Sequence, residues 1–216
     1  GSMGKSHAEE MNFWTKAEFE QFIVAVQDKP ASYTAFMTLY YTGMRVGELC
    51  ALTPADVDLE GHTITINKTF QRINGRDVIW PPKTPKSNRV VTIPQTLANC
   101  LKEYMDKCYE IQPDDRLFPY TKSFLNHEML RGCKRSGVKK IRVHDLRHSH
   151  ASLLIEMGCQ PLLIADRLGH EKIQTTLNTY SHLYPNKQAE VAAQLENVMN
   201  GTTVPNGSQM AGVANL

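Results

Sequence analysis

The sequence predicts an α+β protein: a mainly α-helical domain that carries a small antiparallel three-stranded sheet. Two observations predict this. Most of the 216-residue chain spaces its apolar residues at helical intervals between recognisable caps, while residues 62–93 change to the two-residue alternation of strands. The length suits one fair-sized domain with a real hydrophobic core.

The elements follow in order. In "TKAEFEQFIVAV", Thr15 and Glu18 form a capping box that opens the first helix. "ASYTAFMTLYY" is a second helix, stopped at Thr42-Gly43, and "RVGELCAL" is a short third that ends before Pro54. Between 62 and 93, "HTITI" alternates, "VIW" and "RVVTI" are β-rich, and Asn74-Gly75 marks a hairpin turn. "LANCLKEYMDKC" returns to helical spacing, with Leu97, Leu101, Tyr104, Met105 and Cys108 on one side. "PDDRLFPY" is a loop, and another helix spans about 121–135. The helix built on "HDLRHSHASLLIEM" ends at Gly158, Pro161 opens the next, and Gly169 closes it. A helical stretch then carries Tyr180, and "NKQAEVAAQLENVM" is a last amphipathic helix with a narrow stripe of Val191, Leu195, Val198 and Met199.

Bulk properties narrow the function. The longest apolar runs, such as "FIVAV", fall far short of a membrane span. Five cysteines without a CxxC pair argue for a reduced, intracellular protein with no disulfide framework. The net charge of +2 does not announce a polyanion partner. Its distribution says more: Lys122, Arg131, Lys134, Arg135, Lys139, Lys140, Arg142 and Arg147 are opposed only by Glu128 and Asp145. Such a strip suits nucleic acid, or is a solvated helix face.

"HDLRHSH", 144–150, concentrates nitrogen chemistry. On a helix, Leu146, His150, Leu153, Leu154 and Met157 form one stripe, which makes His150 a core histidine. His144, Arg147 and His148 then share the opposite side. His144 and His148 have the i, i+4 spacing of a zinc helix, but the Glu of HExxH is missing and Arg147 would set a cation beside a dication. A phosphate fits better, since a guanidinium donates two parallel hydrogen bonds and an imidazole can donate another or move a proton. A second arginine on another element would hold both non-bridging oxygens of a phosphodiester as charge grows on them. Arg45, after Gly43 and with Glu48 three residues on, is the candidate. His170 follows a glycine helix stop, and Lys83 and Lys86 lie between two strands. Taken singly, each of these is a weak signal.

In order, "TGMRVGELCAL", "KTPKSNRVVTIP", "HDLRHSHASLLIEMG" and "LGHEKIQTTLNTYSHL" closely resemble the catalytic domain of tyrosine recombinases, the integrases of phages and integrative conjugative elements above all. The resemblance covers about residues 12–185. It implies the recombinase catalytic fold and site-specific DNA recombination, the integration or excision of a mobile element through a 3′-phosphotyrosyl intermediate. By that resemblance Tyr180 is the nucleophile, Arg45 and Arg147 grip the phosphate, and His144 exchanges a proton with the tyrosine. His170 donates to a phosphate oxygen, and Lys83 protonates the leaving 5′-hydroxyl. Lys86, Arg89, Lys139, Lys140 and Arg142 are the expected DNA contacts. Cations do here what metals do in other nucleases, so no metal or cofactor is required. The implied partners are double-stranded attachment sites and further copies of the chain in a tetrameric synapse, in the bacterial cytoplasm and at the nucleoid, with no membrane.

The expected organisation is a cloning remnant and linker at 1–10, the catalytic domain at 11–185, an interaction helix at 186–200 and a disordered tail at 201–216, with the family's N-terminal DNA-binding domains absent. The other readings are topoisomerase-like relaxation, a metal-dependent phosphodiesterase using His144 and His148, and a DNA-binding module without turnover.

Overall fold

In the computed structural model, which describes residues 12–82, 84–185 and 188–200, Thr15 opens α1 (Lys16–Val24) with the full capping box. Its hydroxyl accepts from the Glu18 N–H while its own N–H donates to the Glu18 carboxylate at 2.8 Å. α2 (Pro30–Thr42) starts on a proline and stops at Gly43 in the left-handed region, φ 66°. α2 is enclosed on nearly every side: Ala35, Phe36, Leu39 and Tyr40 are buried, and so are Thr34, Thr38 and Thr42. The hydroxyls of Thr38 and Thr42 are satisfied by donating to carbonyls one turn back, at 2.7 and 2.6 Å. α2 packs on α4 (Gln95–Asp106) and α6 (Leu146–Glu156), and α1 packs on α5 (Lys122–Ser136). Phe19 of α1 stacks on Tyr40 with ring centroids 3.7 Å apart. Gly132 lets α1 and α5 approach, because a Cβ there would lie 2.3 Å from the Phe22 ring.

The strands form two antiparallel sheets. β1 (Val57–Asp58), β2 (Thr63–Ile66) and β5 (Arg89–Thr92) make the three-stranded one, in the order β1-β2-β5. β3 (Thr69–Ile73) and β4 (Arg76–Trp80) make a separate hairpin, with Asn74 and Gly75 both at positive φ in its two-residue turn. The expected three-stranded sheet therefore exists with a different membership. "VIW" pairs with "TFQRI", and "HTITI" and "RVVTI" pair directly with each other. Alternation identifies a strand but not its partner.

The "HDLRH" segment also differs from its periodicity. Residues Val143–Asp145 form a 3-10 turn and α6 proper begins at Leu146. The helix is not amphipathic: Arg147, Ser149, His150, Ala151 and Ser152 are all buried, while Met157, at the end of the expected core stripe, is 69% exposed. The reason is tertiary. α2 and α7 (Pro161–Leu168) both pack on α6, and Trp14 N–H donates to the Ser149 hydroxyl at 2.9 Å. His150 is buried as expected and accepts from Arg167 Nε at 3.1 Å. Gly169, φ 68°, ends α7, and α8 (Ile173–Tyr180) follows.

The chain divides after Ser181 into two units. The second contains α9 (Gln188–Met199), on which Val191, Leu195, Val198 and Met199 are exposed. Among the described residues no helix is long and apolar enough to cross a membrane. All five cysteines are free thiols. The expectations for residues 1–10 and 201–216, and for the position of Lys83, lie outside the described residues.

Candidate active site

Arg45 is the residue before α3 (Val46–Ala51), with extended backbone at the helix entry. Its N–H donates to one Glu48 oxygen at 2.8 Å and its Nη1 to the other at 2.9 Å. The side chain of Arg45 is 40% exposed and that of Glu48 only 7%. The carboxylate thus anchors the arginine from beneath and leaves the rest of its fork facing out. Arg89 grips the same carboxylate from behind, Nη2 to Oε2 at 2.8 Å, and donates through Nε to the Arg167 carbonyl at 2.9 Å. Burial alone would raise the Glu48 pKa, but the Arg89 hydrogen bond and charge hold it below the ordinary carboxylate range.

Arg147 is nearly inaccessible. Its Nη1 donates to the Gly43 carbonyl at 2.7 Å and its Nη2 to the Leu168 carbonyl at 2.6 Å. One guanidinium therefore ties together the exits of α2 and α7, the two turns that present Arg45 and His170. Gly43 is required at its turn for a second reason, since a Cβ would lie 2.5 Å from the His150 ring. Among the described residues Arg147 has no carboxylate in ion-pair contact. Burial, with Arg45 and then Arg89 as neighbouring cations, pulls its pKa down to about 9, still charged at neutral pH.

The histidines are neutral by the same physics. His170 is pushed to about 4 by burial and by Arg147, Arg45 and Arg89. Its Nδ1 lies 2.8 Å from the hydroxyl of Thr176, a buried residue one turn before Tyr180 on α8. His144 is lowered by burial and by Arg147, and stands edge-on to His148 with centroids 5.7 Å apart. Tyr180 is 1% exposed, and its hydroxyl lies 2.8 Å from His148 Nδ1. Burial raises its pKa to about 12 against the pull of Arg147. Beside this cluster opens a cavity of about 770 Å³ lined by Arg45, Lys68, Lys122, Arg142, His144 and His170 among others. Gly47 lets the β3 edge of the cavity close on α3, because a Cβ would meet the Thr69 hydroxyl at 2.5 Å.

Sequence comparison places the chain in a family. Residues 12–187 match the phage integrase family. The chain belongs to that family. It is 34% identical over 203 residues to the ICEBs1 integrase of Bacillus subtilis (strain 168), covering 88% of this chain and 55% of that protein. It is 35% identical over 175 residues to the integrase of Staphylococcus phage L54a, covering 73% of this chain and 49% of that protein. The chain thus spans about half the length of these relatives. The fold matches the Tn1549 transposon integrase in complex with circular intermediate DNA, with a TM-score of 0.74, 23% identity, and coverage of 89% of this chain and 68% of that one. It also matches the catalytic domain of bacteriophage HP1 integrase, with a TM-score of 0.62, 21% identity, and coverage of 90% and 100%. Those structures share the fold, and the sequence match places the chain in the phage integrase family.

Within this family setting, the structure brings Arg45, His144, Arg147, His170 and Tyr180 into one cluster. The histidine that touches Tyr180 is His148, not His144. The expected DNA contacts separate. Lys86 and Lys140 are exposed, Lys139 pairs with Glu18 at 3.4 Å, and Arg142 is exposed at the cavity while pairing with Asp145 at 2.9 Å. Arg89 is turned inward, its side chain 6% exposed and its charge spent on Glu48, so it supports Arg45 instead of reaching a groove. Sequence reading missed the contacts of His148 and Thr176. Thr176 had a signal, since it shares a helix face with Tyr180 at i−4. Among the described residues no three His, Cys, Asp or Glu side chains gather as metal ligands do.

Proposed function

We propose that this chain is the catalytic part of a site-specific DNA recombinase that cuts and rejoins strands at the ends of a mobile element. One observation carries the reading. Among the described residues, Arg147 is a buried cation with carbonyls but no carboxylate in ion-pair contact, set beside a half-exposed Arg45 and two neutral histidines, His144 and His170. A lone buried charge is costly, and a phosphodiester supplies the missing anion. As Tyr180 attacks the phosphorus, charge grows on the two non-bridging oxygens, and fixed cations stabilise that state most. The 3′-phosphotyrosyl link keeps the bond energy, so a 5′-hydroxyl of another strand can displace the tyrosine. Lys83, placed by the family motif, is assigned to the leaving oxygen. A tetrameric synapse on attachment-site DNA, with α9 joining neighbouring copies, completes the reading.

The test uses a pool of nicked suicide duplexes of randomised sequence, incubated in EDTA and resolved on denaturing gels. A covalent adduct is expected from the unsubstituted chain and none from Tyr180→Phe, with DNA binding retained. An adduct that survives Tyr180→Phe, or activity that needs a divalent ion, would remove the assignment. Relaxation of a supercoiled plasmid without strand exchange would point to topoisomerase-like rejoining instead.

A further inference from the structure

The hydroxyl of Tyr180 makes one hydrogen bond among the described residues, to His148 Nδ1 at 2.8 Å. His148 is half-buried on α6, directly after Arg147, with its ring centroid 5.7 Å from that of Tyr180. His144 has no hydrogen bond to the tyrosine among the described residues and lines the open cavity instead. From this contact we propose that His148 is a catalytic residue, the group that takes the Tyr180 proton during cleavage and returns it during rejoining. The proposal rests on the recombinase reading above and departs from the family assignment of that role to His144.

The chemistry balances. At rest the phenol O–H donates to Nδ1, because a neutral imidazole nitrogen is a far better acceptor than a phenol oxygen. The ring's own proton is then on Nε2. As the phenol oxygen bonds to phosphorus, its O–H bond breaks to Nδ1 and the ring becomes imidazolium. The bond from phosphorus to the 5′-oxygen breaks, and that oxygen takes a proton from the leaving-group acid. Rejoining reverses each transfer. The groups facing His148 are His144, Asp145, Arg147 and Arg142 near its own helix and Tyr180 from α8. Burial and then His144 lower the His148 pKa, while burial raises that of Tyr180 to about 12. The tyrosine therefore stays protonated at rest. The proton passes only when bonding to phosphorus makes the phenol oxygen acidic, which is the condition for general-base catalysis.

The experiment is single-turnover cleavage by the full chain, using a nicked duplex selected for adduct formation as above. His148→Ala should slow cleavage by about 10²-fold or more, with DNA affinity unchanged. His148→Gln keeps a hydrogen-bonding side chain without a basic nitrogen, so it should be equally slow. The decisive arm places trifluorotyrosine, which ionises near neutrality, at position 180. With that nucleophile His148→Ala should cost less than about threefold, since no base is needed. A defect of undiminished size with trifluorotyrosine would make His148 merely structural and overturn the proposal. So would cleavage at the normal rate in His148→Gln, or faster cleavage in His148→Ala, which would mark a latch that holds the tyrosine back. An unsubstituted chain that forms no adduct would remove the recombinase reading itself, whereas a normal adduct with no effect at His148 would remove this inference alone.

Discussion

At the residue scale, the proposed reaction needs a proton placed at two points, on the leaving oxygen and on His170. The leaving alkoxide is strongly basic and needs a proton in the transition state. Lys83 and Lys86 both fall in the sequence between the strands "VIW" and "RVVTI", and Lys86 is exposed on a 3-10 turn at Pro85–Ser87. Lys83→Ala is expected to be severely slow on ordinary DNA and largely rescued on a substrate with a bridging 5′-sulfur, which leaves without protonation. Lys86→Ala should show no such rescue, and rescue there would shift the acid by three residues. Thr176 works one step removed. His170 is neutral, so it can donate from Nε2 only if Nδ1 accepts, and the Thr176 hydroxyl is placed to supply that proton at 2.8 Å. Thr176→Val should slow cleavage by about tenfold with unchanged DNA affinity, and Thr176→Ser should restore it. A loss in binding alone would assign Thr176 to packing.

At the scale of elements, two short turns present Arg45 and His170, and each ends a helix. Gly43 and Gly169 stop α2 and α7 in the left-handed region, and Arg147 of α6 donates to the carbonyl of Gly43 and to that of Leu168. The groups proposed to bind the phosphate are therefore held by helix ends that the core fixes, which is what preorganisation needs. α9 is a different kind of element. Its exposed Val191, Leu195, Val198 and Met199 make a narrow apolar stripe of the sort that seeks a partner helix or groove. Truncation after Pro185 should leave cleavage of a single site within a few-fold while strand exchange between two duplexes falls by more than tenfold. Thermal unfolding of the truncated chain would decide against this, since a collapse in Tm would place the stripe in its own core.

At the scale of the molecule, charge is largely spent internally. Arg131 pairs with Glu128 and Asp28, Arg135 with Asp28, Lys139 with Glu18 and Arg142 with Asp145. The basic strip is thus weaker toward DNA than its sequence suggests. Lys140→Ala and Lys86→Ala should each lower the slope of log affinity against log salt by about 1, whereas Arg131→Ala should leave that slope unchanged. Slopes measured by fluorescence anisotropy check this. Stability has its own pH dependence. His150 has a folded pKa pushed to about 3 by burial and by Arg167, against 6.5 ordinarily. The unfolded chain therefore binds the proton first, and stability falls as pH drops below about 6.5, by up to about 1.4 kcal/mol per pH unit until the folded pKa is reached. Denaturant melts between pH 7 and pH 4 should show at least this slope, since His170 is lowered too, and it should decrease in His150→Gln.

By itself the sequence determined the local features: the Thr15–Glu18 box, the stops at Gly43 and Gly169, the Asn74-Gly75 turn, and the order of Arg45, His144, Arg147, His170 and Tyr180. Caps, turns and motif order are written within a few residues, where spacing and side-chain chemistry act directly. Only the tertiary structure decided that "VIW" leaves the three-stranded sheet, that Arg89 turns inward to Glu48 across 41 residues, and that His148, not His144, meets Tyr180 across 32. It also buried Arg147 between carbonyls 104 and 21 residues away. Helical periodicity places a residue on a face, but α2 and α7 enclose α6 on more than one face. Which nitrogen meets which oxygen is then set by packing between elements distant in the chain, and local spacing carries no information about that.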